Sequence, residues 1–234
     1  MRNDPGNRLY YGDNLAVLRE HIADESVDLV YLDPPFNSNA GYNVLFRDQS
    51  GSGADASIEA FDDTWTWGHA SQEALLDIAS GTNRRLQVMM EAMHRALGEN
   101  PLMAYLAMMA VRLVELHRVL KPTGSLYLHC DSTASHYLKL ILDAVFEPKR
   151  ARNEIVWKRT SAHGDATVGY GDVTDTIFFY SKEDRPVWHR QFTPLSDRHV
   201  EAKYASVDEN GRRYTTRDLR SPSPRPNLTY DYKG

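Results

Sequence analysis

The chain has 234 residues, a mass of 26.6 kDa and a net charge of -5, and it is 41% hydrophobic and 25% charged. That excludes collagen-like and wholly disordered classes and leaves room for one domain, or a domain with a small appendage. A single cysteine, Cys130, excludes an intrachain disulfide and a multi-cysteine metal site. The polar start is not a signal peptide, and the apolar run Leu102–Val111 is too short to span a bilayer, so a soluble cytoplasmic protein is expected.

In chain order, Leu9-Tyr10-Tyr11 reads as a strand ending at Gly12-Asp13. Leu15, Leu18 and Ile22 then form a helical stripe over 14–22, and Val27–Leu32 reads as a mostly buried strand of a parallel sheet. Strand–helix–strand spacing of this kind implies an α/β fold. Residues 37–68 read as a long loop holding the polar linker Gly51-Ser52-Gly53 and ending near Trp65 and Trp67. Residues 72–97 read as helix with a break at Gly81, and Leu102–Leu120 as the clearest helix. Ser125–His129 is then a strand and Ser135–Phe146 an amphipathic helix. Glu154–Trp157 and Thr176–Tyr180 form a strand–loop–strand hairpin, an antiparallel edge. From Pro186 onward periodicity fades, and the Pro-rich stretch Ser221–Pro226 cannot be a regular element. The organisation expected is a partial catalytic domain over 1–185, followed over 186–234 by the start of a recognition region or a tail.

Charge divides unevenly: residues 1–100 hold 7 Lys and Arg against 16 Asp and Glu, while residues 101–234 hold 20 against 16. The second half therefore suits either a solvated surface or a polyanion.

Asp33-Pro34-Pro35-Phe36 directly follows the apolar strand, where α/β sheets place their ligands. The plain reading is a rigid turn. The chemical reading starts from the two prolines, which fix φ and carry no N–H, so their carbonyls are rigid acceptors. With the Asp33 carboxylate they make an acceptor pair for the two hydrogens of a planar amino group, and Phe36 offers a flat face for stacking. Such a site fits a ring bearing an exocyclic NH2, adenine or cytosine. Nothing at the motif is a nucleophile, so the electrophile comes from a cofactor.

At these residues the chain resembles the amino-group DNA methyltransferases that use S-adenosylmethionine, whose signature is Asp/Asn/Ser-Pro-Pro-Tyr/Phe/Trp. Tyr11-Gly12-Asp13-Asn14, Ser26-Val27-Asp28-Leu29 and Asp33–Asn37 are similar to the N-terminus of the permuted, beta-order class. Leu116–Asp131, Asn153–Arg159 and Asp175–Lys182 resemble its next blocks, so the resemblance covers roughly residues 9–220. It implies a Rossmann-like methyltransferase fold with a mainly parallel sheet and transfer of a methyl group to adenine in double-stranded DNA, the base being flipped out of the helix. The leading Asp of the motif favours adenine. The rivals are cytosine as target, a similar RNA or protein amide enzyme, and a non-catalytic DNA-binding or assembly subunit. A restriction subunit is an implied partner; no membrane and no metal are implied.

On the resemblance, Asp33, Pro34, Pro35 and Phe36 are catalytic, and Asp13, Asp33 and Asp131 face the cofactor, although Asp13 and Asp131 equally suit helix caps. Lys158, Arg159 and Arg152 would contact DNA phosphates. The family's Phe-x-Gly-x-Gly cofactor turn does not occur in the sequence. In the permuted order it follows the recognition region, so the expectation is a C-terminally truncated chain that lacks central strands. Such a chain would leave the Leu9–Tyr11 strand poorly paired, bind S-adenosylmethionine weakly and be marginally stable.

Overall fold

In a computed structural model the structure describes residues 6–34, 65–160, 170–171 and 173–216, together with the backbone of 41–44 and 58–62. Contacts divide the chain into two compact units, 1–187 and 188–234.

In the first unit α1 spans Asn14–His21, β1 Val27–Leu32, β2 Gly41–Val44, β3 Ile58–Asp62, α2 His69–Ser80, α3 Arg84–Leu97 and α4 Pro101–Val119. Strand β4 (Leu120–Cys130), helix α5 (Ser135–Phe146), a 3₁₀ turn, β5 (Ala151–Lys158) and β6 (Thr174–Ser181) follow. Local chemistry sets the helix limits. Asn83 Oδ1 accepts from the Leu86 amide, and Asn100 Oδ1 accepts from the Met103 amide ahead of Pro101 at the first turn of α4. The break at Gly81 separates α2 from α3, and Gln87 Nε2 donates to the carbonyls of Ala79 and Gly81 that α2 leaves open.

The main sheet has the order β1-β4-β6-β5. Strand β1 pairs parallel with β4, and β6 pairs antiparallel with both β4 and β5. Strands β1, β4 and β5 therefore run one way and β6 runs against them, so the sheet is mixed, with one parallel ladder and an antiparallel hairpin at its edge. Leu126, Leu128, Cys130, Phe178 and Tyr180 alternate onto one face, where they join Tyr105, Leu106, Leu113, Leu138 and Ile141 of α4 and α5 in the core. The opposite face carries a row of stacked rings: Tyr31 on Tyr127 at 6.5 Å between centroids, and Tyr127 on Phe179 at 4.6 Å. Tyr31 and Trp157 there stay 57% and 58% exposed.

Four expectations are corrected. Strand β1, read as mostly buried, has no buried residue among the described ones, and Leu29 and Tyr31 are each 57% exposed. Leu9–Tyr11 is not a strand: among the described residues no ladder reaches it and Leu9 is 98% exposed, because a strand exists only where a neighbour takes up its backbone groups. The loop 37–68 holds β2 and β3, paired antiparallel. Strand β4 begins five residues early, at Leu120, and takes in Pro122 through a register shift against β1 between Val27 and Leu29. Gly124 makes that crossing close: a Cβ there would lie 2.9 Å from the Lys121 carbonyl and 3.1 Å from that of Val27. The linker Gly51–Gly53 lies outside the described residues.

The second unit has a short helix α6 (Asp197–Lys203) and a two-strand ladder of β7 (Ser206–Val207) with β8 (Arg213–Tyr214). Asp208 closes its turn by accepting from the Asn210 and Arg212 amides, bonds that hold its carboxyl below the usual range.

Candidate active site

Because β1, β4 and β5 run the same way, their carboxyl ends lie at one end of the sheet, together with the start of β6. That end gathers Asp33, His129, Asp131, Lys158, Arg159 and Asp175. The pairing of Leu32 with Leu128 puts Asp33 beside His129, and the pairing of His129 with Ile177 puts Asp175 one step outward on the same face.

These side chains form a chain of contacts. His129 Nδ1 lies 3.1 Å from Asp33 Oδ1, and His129 Nε2 lies 3.3 Å from Asp175 Oδ2. Arg159 reaches Asp175 Oδ1 at 3.3 Å. Exposure rises along it: the side chain of Asp175 is 3% exposed, that of His129 18% and that of Asp33 62%. A carboxylate as buried as Asp175 is costly unless paired; the ring faces its Oδ2, and the guanidinium is a charge partner at Oδ1, where no hydrogen bond forms among the described residues. Cys130, next to His129, is buried; desolvation first, then Asp131, Asp175 and Glu154, push its thiol up to about 12. It is no nucleophile near neutral pH. Among the described residues no group of His, Cys, Asp or Glu could hold a metal ion.

Of the motif itself, Asp33 is exposed at the end of β1 and Pro34 is buried behind it, while Pro35 and Phe36 lie outside the described residues. Asp13 caps α1: its Oδ1 accepts from the Leu15 amide at 2.8 Å and from Arg112 at 2.7 Å. Asp131 spends both oxygens on Thr133, the amide at 3.0 Å and the hydroxyl at 3.1 Å, and so shapes the turn into α5 rather than capping it directly, since Ala134 is the cap residue.

Lys158 is exposed and, among the described residues, has no hydrogen bond or ion pair. Arg159 is half exposed and leans on Asp175. Arg152 does not join them. It stands at the other end of β5, where its Nε donates to Ser181 Oγ at 2.7 Å and its terminal nitrogen to the Glu183 carbonyl at 2.9 Å. Trp65 and Trp67 pack, on Tyr105 and His94 respectively. Of the C-terminal arginines, Arg212 pairs with Asp208, and Arg217, Arg220 and Arg225 lie outside the described residues. The loop 160–174 is described only in part.

The residue that sequence reasoning missed is Asp175. It stands one position into a strand of apolar residues, and a buried acid at that place is a signal. Its partner, however, is fixed by the register between β4 and β6, which no spacing along the chain reveals.

The family model described as DNA methylase, that of the N6/N4 methyltransferases, matches residues 27–228. Among curated proteins the chain is 22% identical over 208 residues to the type II methyltransferase M.EcaI of Enterobacter cloacae, covering 89% of this chain and 36% of that one. It is 25% identical over 206 residues to the Mod subunit of the type III restriction-modification enzyme StyLTI of Salmonella typhimurium, covering 87% and 28%. The chain thus spans about a third of the length of these relatives. Among solved structures it is similar to the cytosine-N4-specific PvuII DNA methyltransferase, with 13% identity, a TM-score of 0.38 and coverage of 76% of this chain and 49% of that one. With most of its length matched, motif strand and edge hairpin included, the chain belongs to the N6/N4 DNA methylase family.

Proposed function

We propose that the carboxyl end of the sheet is part of the active site of a DNA methyltransferase that acts on the exocyclic amino group of adenine. What supports this most is the placing of Asp33, an exposed carboxylate backed by a buried proline at the end of a parallel strand, in a chain of this family. The base leaves the duplex at a cost of a few kcal/mol and enters beside Asp33. Asp33 and the carbonyl of Pro34 or Pro35 accept the amino hydrogens, which draws the nitrogen lone pair out of the ring. Phe36 stacks on the base, worth about 1–3 kcal/mol. Positioning of the amine supplies most of the acceleration. The proton leaves after transfer, so Asp33 is an orienting acceptor and need not be a strong base.

S-adenosylmethionine, when bound, supplies an electrophilic methyl group. The donor is a cation, which the exposed Asp33 carboxylate suits; Asp13, 54% exposed, already pairs with Arg112 at 2.7 Å and has Oδ2 left to offer among the described residues. Asp131 is the weaker partner because Thr133 occupies both its oxygens. Lys158 and Arg159 meet DNA phosphates, and residues 186–234 belong to the target-recognition region. The setting is the cytoplasm, with a restriction subunit as partner; no helix of the described residues is long and apolar enough to cross a membrane.

The test is incubation of the full-length protein with methyl-labelled S-adenosylmethionine and unmethylated DNA, followed by nucleoside analysis. Label in N6-methyladenine is expected. Label in N4-methylcytosine would move the target to cytosine. No label, together with no S-adenosylmethionine binding by calorimetry, would make the protein a non-catalytic subunit.

A further inference from the structure

We propose that His129 and Asp175 are positioning residues that fix the orientation of the Asp33 carboxylate, an inference that rests on the reading of Asp33 as the amine acceptor. Asp33 directly follows β1 and its side chain is mostly exposed, so by itself its carboxylate would rotate freely. Two features restrain it. The imidazole of His129 reaches Oδ1 at 3.1 Å, which leaves Oδ2 as the oxygen that faces an incoming amine. The ring is restrained in turn, because its other nitrogen lies 3.3 Å from Asp175, and Asp175 is buried on β6 with Arg159 at 3.3 Å on its second oxygen.

The order of burial is what positioning requires. The innermost carboxylate is fixed by the sheet register, the ring is held by that carboxylate, and of the three groups Asp175, His129 and Asp33 it is Asp33 that is open to an incoming amine. A surface ion pair has no such inner anchor and is worth little. Outer-shell partners of this kind typically change activity by 10–100-fold when removed, through geometry and not through contact with the substrate.

Two measurements on the full-length protein test this. The first needs no turnover. With aspartate labelled at the carboxyl carbon, Asp175→Asn is expected to move the Asp33 resonance, and the same substitution made on a His129→Phe background is expected to leave it in place. A resonance of Asp33 indifferent to Asp175→Asn in the wild-type background would overturn the proposal.

The second is methyl transfer to unmethylated DNA. His129→Ala and Asp175→Asn are expected to lower kcat by about 10–100-fold with KM for DNA within twofold. His129→Asn, which can offer an amide N–H near the position of Nδ1, should recover part of the loss. If Asp33→Ala abolishes transfer while both variants stay within twofold of wild type, the positioning role is wrong and the reading of Asp33 stands. If Asp33→Ala itself leaves transfer unchanged, the reading of Asp33 is what fails.

Discussion

The two ends of the β5–β6 hairpin carry the same kinds of residue and use them differently. At the end where β5 begins, the cations are paired within the protein: Arg150 with Asp184, Lys149 with Glu147, and Arg152 with Ser181 and the Glu183 carbonyl. Lys182 there bonds the Leu120 carbonyl at 2.6 Å and Glu25 at 3.1 Å, tying β6 to the start of β4. At the end where β5 finishes, among the described residues, Lys158 makes no ion pair, Arg159 has one acidic neighbour in reach, and Asp33 stands out from β1. The lesson is that charge type does not separate a clamp from a site. Strand direction does: the carboxyl ends converge on a place where loops leave the sheet, and side chains there are free to meet a ligand.

The comparison breaks most sharply at Asp33. Replacing it by Ala should lower methyl transfer roughly 100–1000-fold, the size of effect seen when a preorganised hydrogen-bond partner is removed, and should leave thermal stability unchanged because the side chain is exposed. Equal losses of activity and stability would mean that this end, too, is a clamp.

Next in size is Arg152→Ala. It removes a donor from the buried Ser181 hydroxyl and from the Glu183 carbonyl, so stability should fall by about 1–3 kcal/mol in a denaturant titration, with DNA affinity unaltered. Weaker DNA binding at unchanged stability would return Arg152 to the role of phosphate contact that its sequence suggested.

Lys158→Ala should do the reverse. The slope of log affinity for DNA against log salt should shrink by about 0.9, while stability stays within about 0.5 kcal/mol. An unchanged slope would remove Lys158 from the DNA-facing surface.

The smallest effect concerns pH, and it belongs to the clamped end. His117, in the last turn of α4 and edge-on to Phe146 at 4.9 Å, has its pKa lowered from 6.5 by burial first and by Lys182 second. The unfolded chain therefore takes up a proton on this ring before the folded chain does. Stability should decline as pH falls below 6.5 and level off once the folded ring charges too. His117→Phe should flatten that stretch of the stability–pH curve, measured by chemical denaturation; an unchanged curve would place the dependence elsewhere.

Much of this was legible along the chain, for reasons that differ by element. Helix α5 spans Ser135–Phe146 as its stripe predicts, and the helix break falls at Gly81, because apolar periodicity and glycine act locally. Leu9–Tyr11 has the composition of a strand and is not one, and β2 and β3 are only four and five residues long within a polar stretch; pairing, which composition does not carry, decided both. Asp33 stands out in the sequence through its proline neighbours, and the structure puts it at the end of β1. His129 was visible as a strand-end residue, but its contact with Asp175, 46 residues later, depends on the register that joins them.

The central claim is that Asp33 at the open end of the sheet orients the amine that is methylated. The most direct measurement compares transfer of a labelled methyl group from S-adenosylmethionine to adenine in unmethylated DNA for the full-length wild type, Asp33→Ala and Arg152→Ala, at a temperature where all three are folded. Loss of label confined to Asp33→Ala is the predicted result. Label retained by Asp33→Ala within threefold of wild type would contradict it.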